Sequence, residues 1–134
     1  VQKGGSAPIM DVIDYGEPVT TKGLNMLYGP GNDLVSATAL TAAGAHMVLF
    51  STGRGTPFGA PAPTLKIATN SQLAAKKKTW IDFNAGVVAD GERTLDEAGA
   101  DLYRLVLDVA SGKQTCAEKK GFREISIFKD GVVL

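Results

Sequence analysis

"AHMVLFSTGRGTPFG", Ala45 to Gly59, decides how the chain is read. Its first half is an apolar run through Phe50 that lacks the alternation of a half-exposed strand. Such runs mark strands covered on both faces, as in parallel sheets. Its second half crowds glycines 53, 55 and 59 around Arg54, with hydroxyl residues and Pro57. Glycine weakens regular structure, so several in one loop mean tight turns or a backbone that something approaches closely. An arginine set between them offers a planar five-donor fork suited to a carboxylate.

Upstream, "GLNMLYGPGND" reads as a strand over 24–28 and a turn, after which Asn32 or Asp33 caps a helix over 34–43 that Gly44 ends. Downstream, "PTLKIAT" is a third strand, and Asn70 or Ser71 opens a short helix to about Lys77. "TWIDFNAG" is a fourth strand. Thr94 and Glu97 form a T-x-x-E capping box, opening a helix with Leu95, Ala98, Leu102, Leu105, Val106 and Val109 on one face. "REISIFKDGVVL" is a last strand or a hairpin turning at Asp130-Gly131. This alternation predicts an α/β fold, a three-layer Rossmann-like domain with a mainly parallel sheet, over residues 24–134. Residues 1–23 read as an extended arm or connector from an upstream domain, and a start at Val1 reads as a piece of a longer protein.

Composition narrows the function. The chain has 134 residues, enough for one domain with a real core. Lys plus Arg and Asp plus Glu are both 14, so the net charge is zero. That argues against a nucleic-acid or membrane-surface binder working through bulk charge. The basic run Lys76 to Lys78 reads as a solvated helix end. Cys116 is the sole cysteine, which excludes an intrachain disulfide and fits a reducing, cytoplasmic setting. No apolar run approaches the ~20 residues of a membrane span.

Ligands of such folds bind beyond the carboxyl ends of the strands. There the chain presents Gly31, Asn32 and Asp33, then Thr52, Gly53, Arg54, Gly55 and Thr56, then Asn70, then Asp82 and Asn84. These are expected to share one rim. Arg54 either grips an anion there, with the flanking glycine amides, or pairs with Asp82 or Asp33 and fastens loops together. Asp33 and Asp82 are acid/base candidates, against the plainer readings of helix cap and strand-end turn. His46, at the far end of its strand, reads as structural. One His and one Cys without paired spacing give no metal site.

Together "VQKGG", "GLNMLYGPGNDLVSATALTAAGAHMVLFSTGRGTPFG", "PTLKIATNSQLA", "WIDFNAG" and "GFREISIFKDGVVL" resemble the C-terminal domain of the altronate/galactarate dehydratase family over nearly the whole chain. The start and the tail are most similar to the altronate branch. The resemblance implies a hydro-lyase that removes water from a sugar acid, with altronate giving 2-keto-3-deoxygluconate. Galactarate or a sulfonated hydroxy acid is the alternative substrate, and a domain that only braces the upstream catalytic part is the alternative of another class. It implies a divalent metal, Fe(II) or Mn(II), with ligands mostly outside this chain, upstream domains as partners, and leaves a homo-oligomer open. It also implies roles. Arg54 and the Gly53 and Gly55 amides would hold the carboxylate. Thr52, Thr56, Asn70 and Asn84 would read hydroxyls. Lys3 or Lys66 would be the base.

Overall fold

A computed structural model describes residues 4–127. Lys3 and the expected turn at Asp130-Gly131 lie outside them. The described chain forms two compact units, residues 4–45 with 125–127, and residues 46–124.

In the first unit, β1 (Ile9–Ile13) pairs in parallel with β2 (Leu24–Leu27), with an irregularity between Ile9 and Asp11. The stretch expected as an extended arm thus contains a paired strand. Helix α1 (Asp33–Ala42) follows. Its cap is Asn32, whose Oδ1 accepts from Leu34 N at 3.1 Å and Val35 N at 3.3 Å, satisfying two of the helix's orphan donors. Asp33 is the first helical residue, not the cap. The end of α1 is closed by Gly44 N donating to Thr41 O and Ala45 N to Leu40 O. Val35, Ala37, Thr38 and Ala39 are its buried face.

The second unit holds a three-stranded parallel sheet in the order β3-β4-β5, formed by β3 (Val48–Thr52), β4 (Thr64–Ala68) and β5 (Phe83–Asn84). The chain is α/β with parallel strands, consistent with the Rossmann-like reading, and its described strands lie in two small parallel sheets. The covered strand is not the one that composition suggests. Among the described residues β3 has a single neighbouring strand and leaves Leu49 51% exposed. β4 lies between two strands and buries Thr64, Leu65, Lys66 and Ala68.

Helix α2 (Ser71–Lys76) follows β4 and packs Leu73 with Ala68 and Ile81. β5 is shorter than "TWIDFNAG" suggests because Asp82 intervenes with its side chain. Its Oδ2 accepts from Lys66 N at 2.8 Å, while Asp82 N donates to Lys66 O at 2.9 Å. The short α3 (Gly86–Ala89) leads to α4 (Leu95–Ala110), which opens with the expected Thr94–Glu97 capping box. A second capping box, Thr115 with Glu118, opens α5 (Cys116–Lys119).

Candidate functional site

The loop from Ser51 to Gly59 leaves the carboxyl end of β3 and is anchored at both ends. At its start, Thr52 Oγ1 accepts from Gly55 N at 2.9 Å and Arg54 N at 3.4 Å, while Thr69 N donates to Thr52 O at 3.0 Å. At its end, Phe58 is 1% exposed and its ring lies 5.5 Å from that of Phe50. Gly59 donates to Glu124 Oε2 at 2.9 Å and accepts from Glu124 N at 2.7 Å. A Cβ on Gly59 would meet Phe122 O at 2.5 Å, so close packing requires that glycine. Gly55 is required for another reason. Its φ is +78°, and a Cβ there would meet Lys77 Cδ at 2.9 Å.

Side chains from α2 close over this loop. Asn70 caps the helix with Oδ1, which accepts from Leu73 N at 2.8 Å, and donates from Nδ2 to Gly53 O at 3.1 Å. Lys77 does not project as part of a solvated helix end. Its Nζ donates to Arg54 O at 2.9 Å and Gly55 O at 3.1 Å, and sits 4.6 Å from the centre of the Trp80 ring. Between loop and helix lies a cleft of about 300 Å³ lined by Gly53, Arg54, Asn70, Gln72, Leu73, Lys76 and Lys77.

Thr52, Gly53, Arg54, Gly55, Thr56 and Asn70 therefore come together. Arg54 is exposed at the cleft, and among the described residues it forms no ion pair. Asp82, a candidate partner for it, is engaged elsewhere, with Oδ1 accepting from Cys116 N at 2.7 Å and Oδ2 from Lys66 N. That staple ties the central strand to α5, which answers what Asp82 does without an acid/base role. The Gly55 amide is taken by Thr52. Asn84 stands back from the cleft as a brace, donating to Ser71 Oγ at 2.9 Å and accepting from Gly86 N at 3.0 Å. Gly31, Asn32 and Asp33 belong to the first unit, at the turn into α1.

Two lysines carry more of the arrangement than their sequence positions signal. Lys66 is 1% exposed in the middle of β4, and its Nζ donates to Thr56 O. Burial pushes its ammonium below the usual lysine range, against the opposing pull of Asp82, Glu124 and Cys116, and Lys77 adds to the downward push. It is placed as a brace beneath the loop. For Lys77 the one signal was Trp80 three residues on. Cys116 is not poised as a nucleophile, since burial pushes its thiol up, with Asp82 adding to the shift. Among the described residues, no three His, Cys, Asp or Glu groups converge as a metal site. No described helix is long and apolar enough to cross a membrane.

Comparison with known proteins gives matches over nearly the whole chain. The family described as D-galactarate/Altronate dehydratase, C-terminal, matches residues 1–133. Altronate dehydratase of Escherichia coli (strain K12) is 55% identical over 99% of this chain and 27% of its own length. Altronate dehydratase of Bacillus subtilis (strain 168) is 49% identical over the same shares of the two chains. Galactarate dehydratase (L-threo-forming) of Escherichia coli (strain K12) is 38% identical over 99% of this chain and 26% of its own length. The chain thus spans about a quarter of the length of these relatives.

Proposed function

The chain belongs to the C-terminal domain family of the D-galactarate/altronate dehydratases, and from that premise we propose that it is the C-terminal part of a hydro-lyase acting on D-altronate. The substrate preference follows the two altronate dehydratases, at 55% and 49% identity against 38% for the galactarate enzyme. The observation that carries the site is Arg54, exposed beside a cleft of about 300 Å³ and without an ion-pair partner among the described residues.

In this reading the Arg54 guanidinium takes the sugar-acid carboxylate through paired hydrogen bonds. A base removes the proton on the carbon next to that carboxylate, the neighbouring hydroxyl leaves with a proton as water, and the resulting enol becomes the ketone of 2-keto-3-deoxy-D-gluconate. Charge that develops on the carboxylate in the transition state is met by a fixed cation. Thr52 and Thr56 adjoin Arg54 as contacts for substrate hydroxyls. We assign the base to Lys3 or Asp33 as candidates, because Lys66 is buried under the loop and Asp82 is held by two backbone amides. The described residues do not fit a divalent metal. We place the ligands of the Fe(II) or Mn(II) implied by the family in the rest of a longer cytoplasmic protein.

A second reading has its own observation. Phe83, Ala85, Val88, Leu95, Ala98 and Leu102 line an apolar groove of about 400 Å³, as expected of a domain that braces the remainder of its chain. Arg54→Lys in the whole enzyme separates the two. Lysine keeps the charge but loses the fork, and a residual loss of about 2 kcal/mol is roughly a thirtyfold fall in kcat/KM. The expected result is that fall with an unchanged melting temperature. Normal turnover, or a loss that follows unfolding, would return the loop to a bracing role.

A further inference from the structure

Four consecutive carbonyl oxygens of the loop are tied by side chains. Asn70 Nδ2 holds Gly53 O, Lys77 Nζ holds both Arg54 O and Gly55 O, and Lys66 Nζ holds Thr56 O. A glycine-rich loop has many backbone conformations to lose on folding, so something must select one. Hydrogen bonds from ammonium groups are among the stronger ones available to carbonyls.

We propose that Lys77 is a positioning residue for Arg54: by fixing the Arg54 and Gly55 carbonyls, which belong to the two peptide groups that follow the Arg54 Cα, it sets the direction in which the guanidinium enters the cleft. Three features support a dedicated contact. The ammonium is shared between two adjacent carbonyls, at 2.9 and 3.1 Å, which constrains both peptide planes. The Trp80 ring, 4.6 Å away, holds the same ammonium from another side. Gly55 meets the Lys77 stem so closely that any other residue there would displace it. Lys66 secures the next carbonyl from beneath, so the turn cannot yield at its far end.

The inference rests on the proposed carboxylate-binding role of Arg54. It is tested in the full-length enzyme with D-altronate by a double-mutant cycle of Lys77→Met and Arg54→Ala. Misplacing a substrate-positioning group costs up to about a hundredfold. Lys77→Met is expected to lower kcat/KM roughly tenfold or more, chiefly through KM, with melting within a few degrees of wild type. In the Arg54→Ala background the same substitution is expected to change kcat/KM less than about twofold, because no guanidinium is left to aim. Equal losses in both backgrounds would overturn the inference, since Lys77 would then act on substrate or on stability independently. No loss from Lys77→Met would overturn it as well. An Arg54→Ala enzyme with normal kcat/KM would remove the underlying reading, an outcome distinct from the other two. Should Lys77→Met melt well below wild type, Lys77→Gln goes through the same cycle with the same expectations.

Discussion

Two neighbouring strands contradict their own composition. β3, "VLFST", holds the end of an apolar run and reads as covered on both faces, yet among the described strands it is an edge with Leu49 half exposed. β4, "TLKIA", has a lysine at its centre, yet it is the buried middle of the sheet. Burial here follows the number of neighbouring strands, which no single segment encodes. The lysine is tolerated because its amine has a carbonyl partner, Thr56 O, in the loop that β3 emits. A buried donor with a partner costs far less than an orphaned one.

The contrast can be broken most directly by truncation in the 134-residue chain, which is expected to fold on its own without dehydrating altronate. Leu65→Ala, at a fully buried site of β4, is expected to cost about 2–5 kcal/mol in urea unfolding. A loss below about 1 kcal/mol would mean that β4 is not the centre of this unit.

A smaller effect sharpens the role of the buried lysine. The ammonium of Lys66 is held below its ordinary value of 10.5 in the fold. Between that lowered value and the ordinary one, the unfolded chain binds more protons at this site than the folded chain. Stability from this group therefore rises with pH in that window. The stability of wild type relative to Lys66→Met is expected to increase as the pH rises through the alkaline range toward 10.5. A difference that shrinks as pH rises would show that the ammonium is favoured by the fold.

The smallest change is expected at the edge. Leu49→Ser should stay within about 0.5 kcal/mol of wild type, in keeping with an exposed position. If it equalled Leu65→Ala, the two strands would not differ and the burial contrast would fail.

What could be read from the chain, and what could not, follows the same division between local and nonlocal causes. The Thr94–Glu97 box and the Asn70 cap are local hydrogen-bond patterns, and both helices begin where those residues place them. Thr115–Glu118 has the same spacing in "TCAE" and opens α5. That a loop follows β3 is legible because three glycines and a proline crowd behind an apolar run, whereas those residues leave Arg54 open between an anion and an ion pair. Asp82 was not, since the two amides it holds come from Lys66 and Cys116, 16 and 34 residues away. The split into two sheets was hidden for the same reason. "LNML" is strand-like by pattern, but nothing in it says that its partner is Ile9–Ile13. Lys77 looked like solvated charge because a lysine run usually is, and only the folded position of the loop turns it inward.

The discontinuous first unit has a consequence for how the molecule is made. Residues 125–127 return to it after the whole of 46–124 has been traversed, and Ser126 N donates to Thr38 Oγ1 across 88 positions. At a synthesis rate of about 5–20 residues per second, Thr38 leaves the ribosome roughly 4–18 s before its partner exists. The intervening unit, closed on itself by the Gly59–Glu124 exchange, has all of its own contacts available before that moment. Of the two units, the one begun first is thus the one completed last.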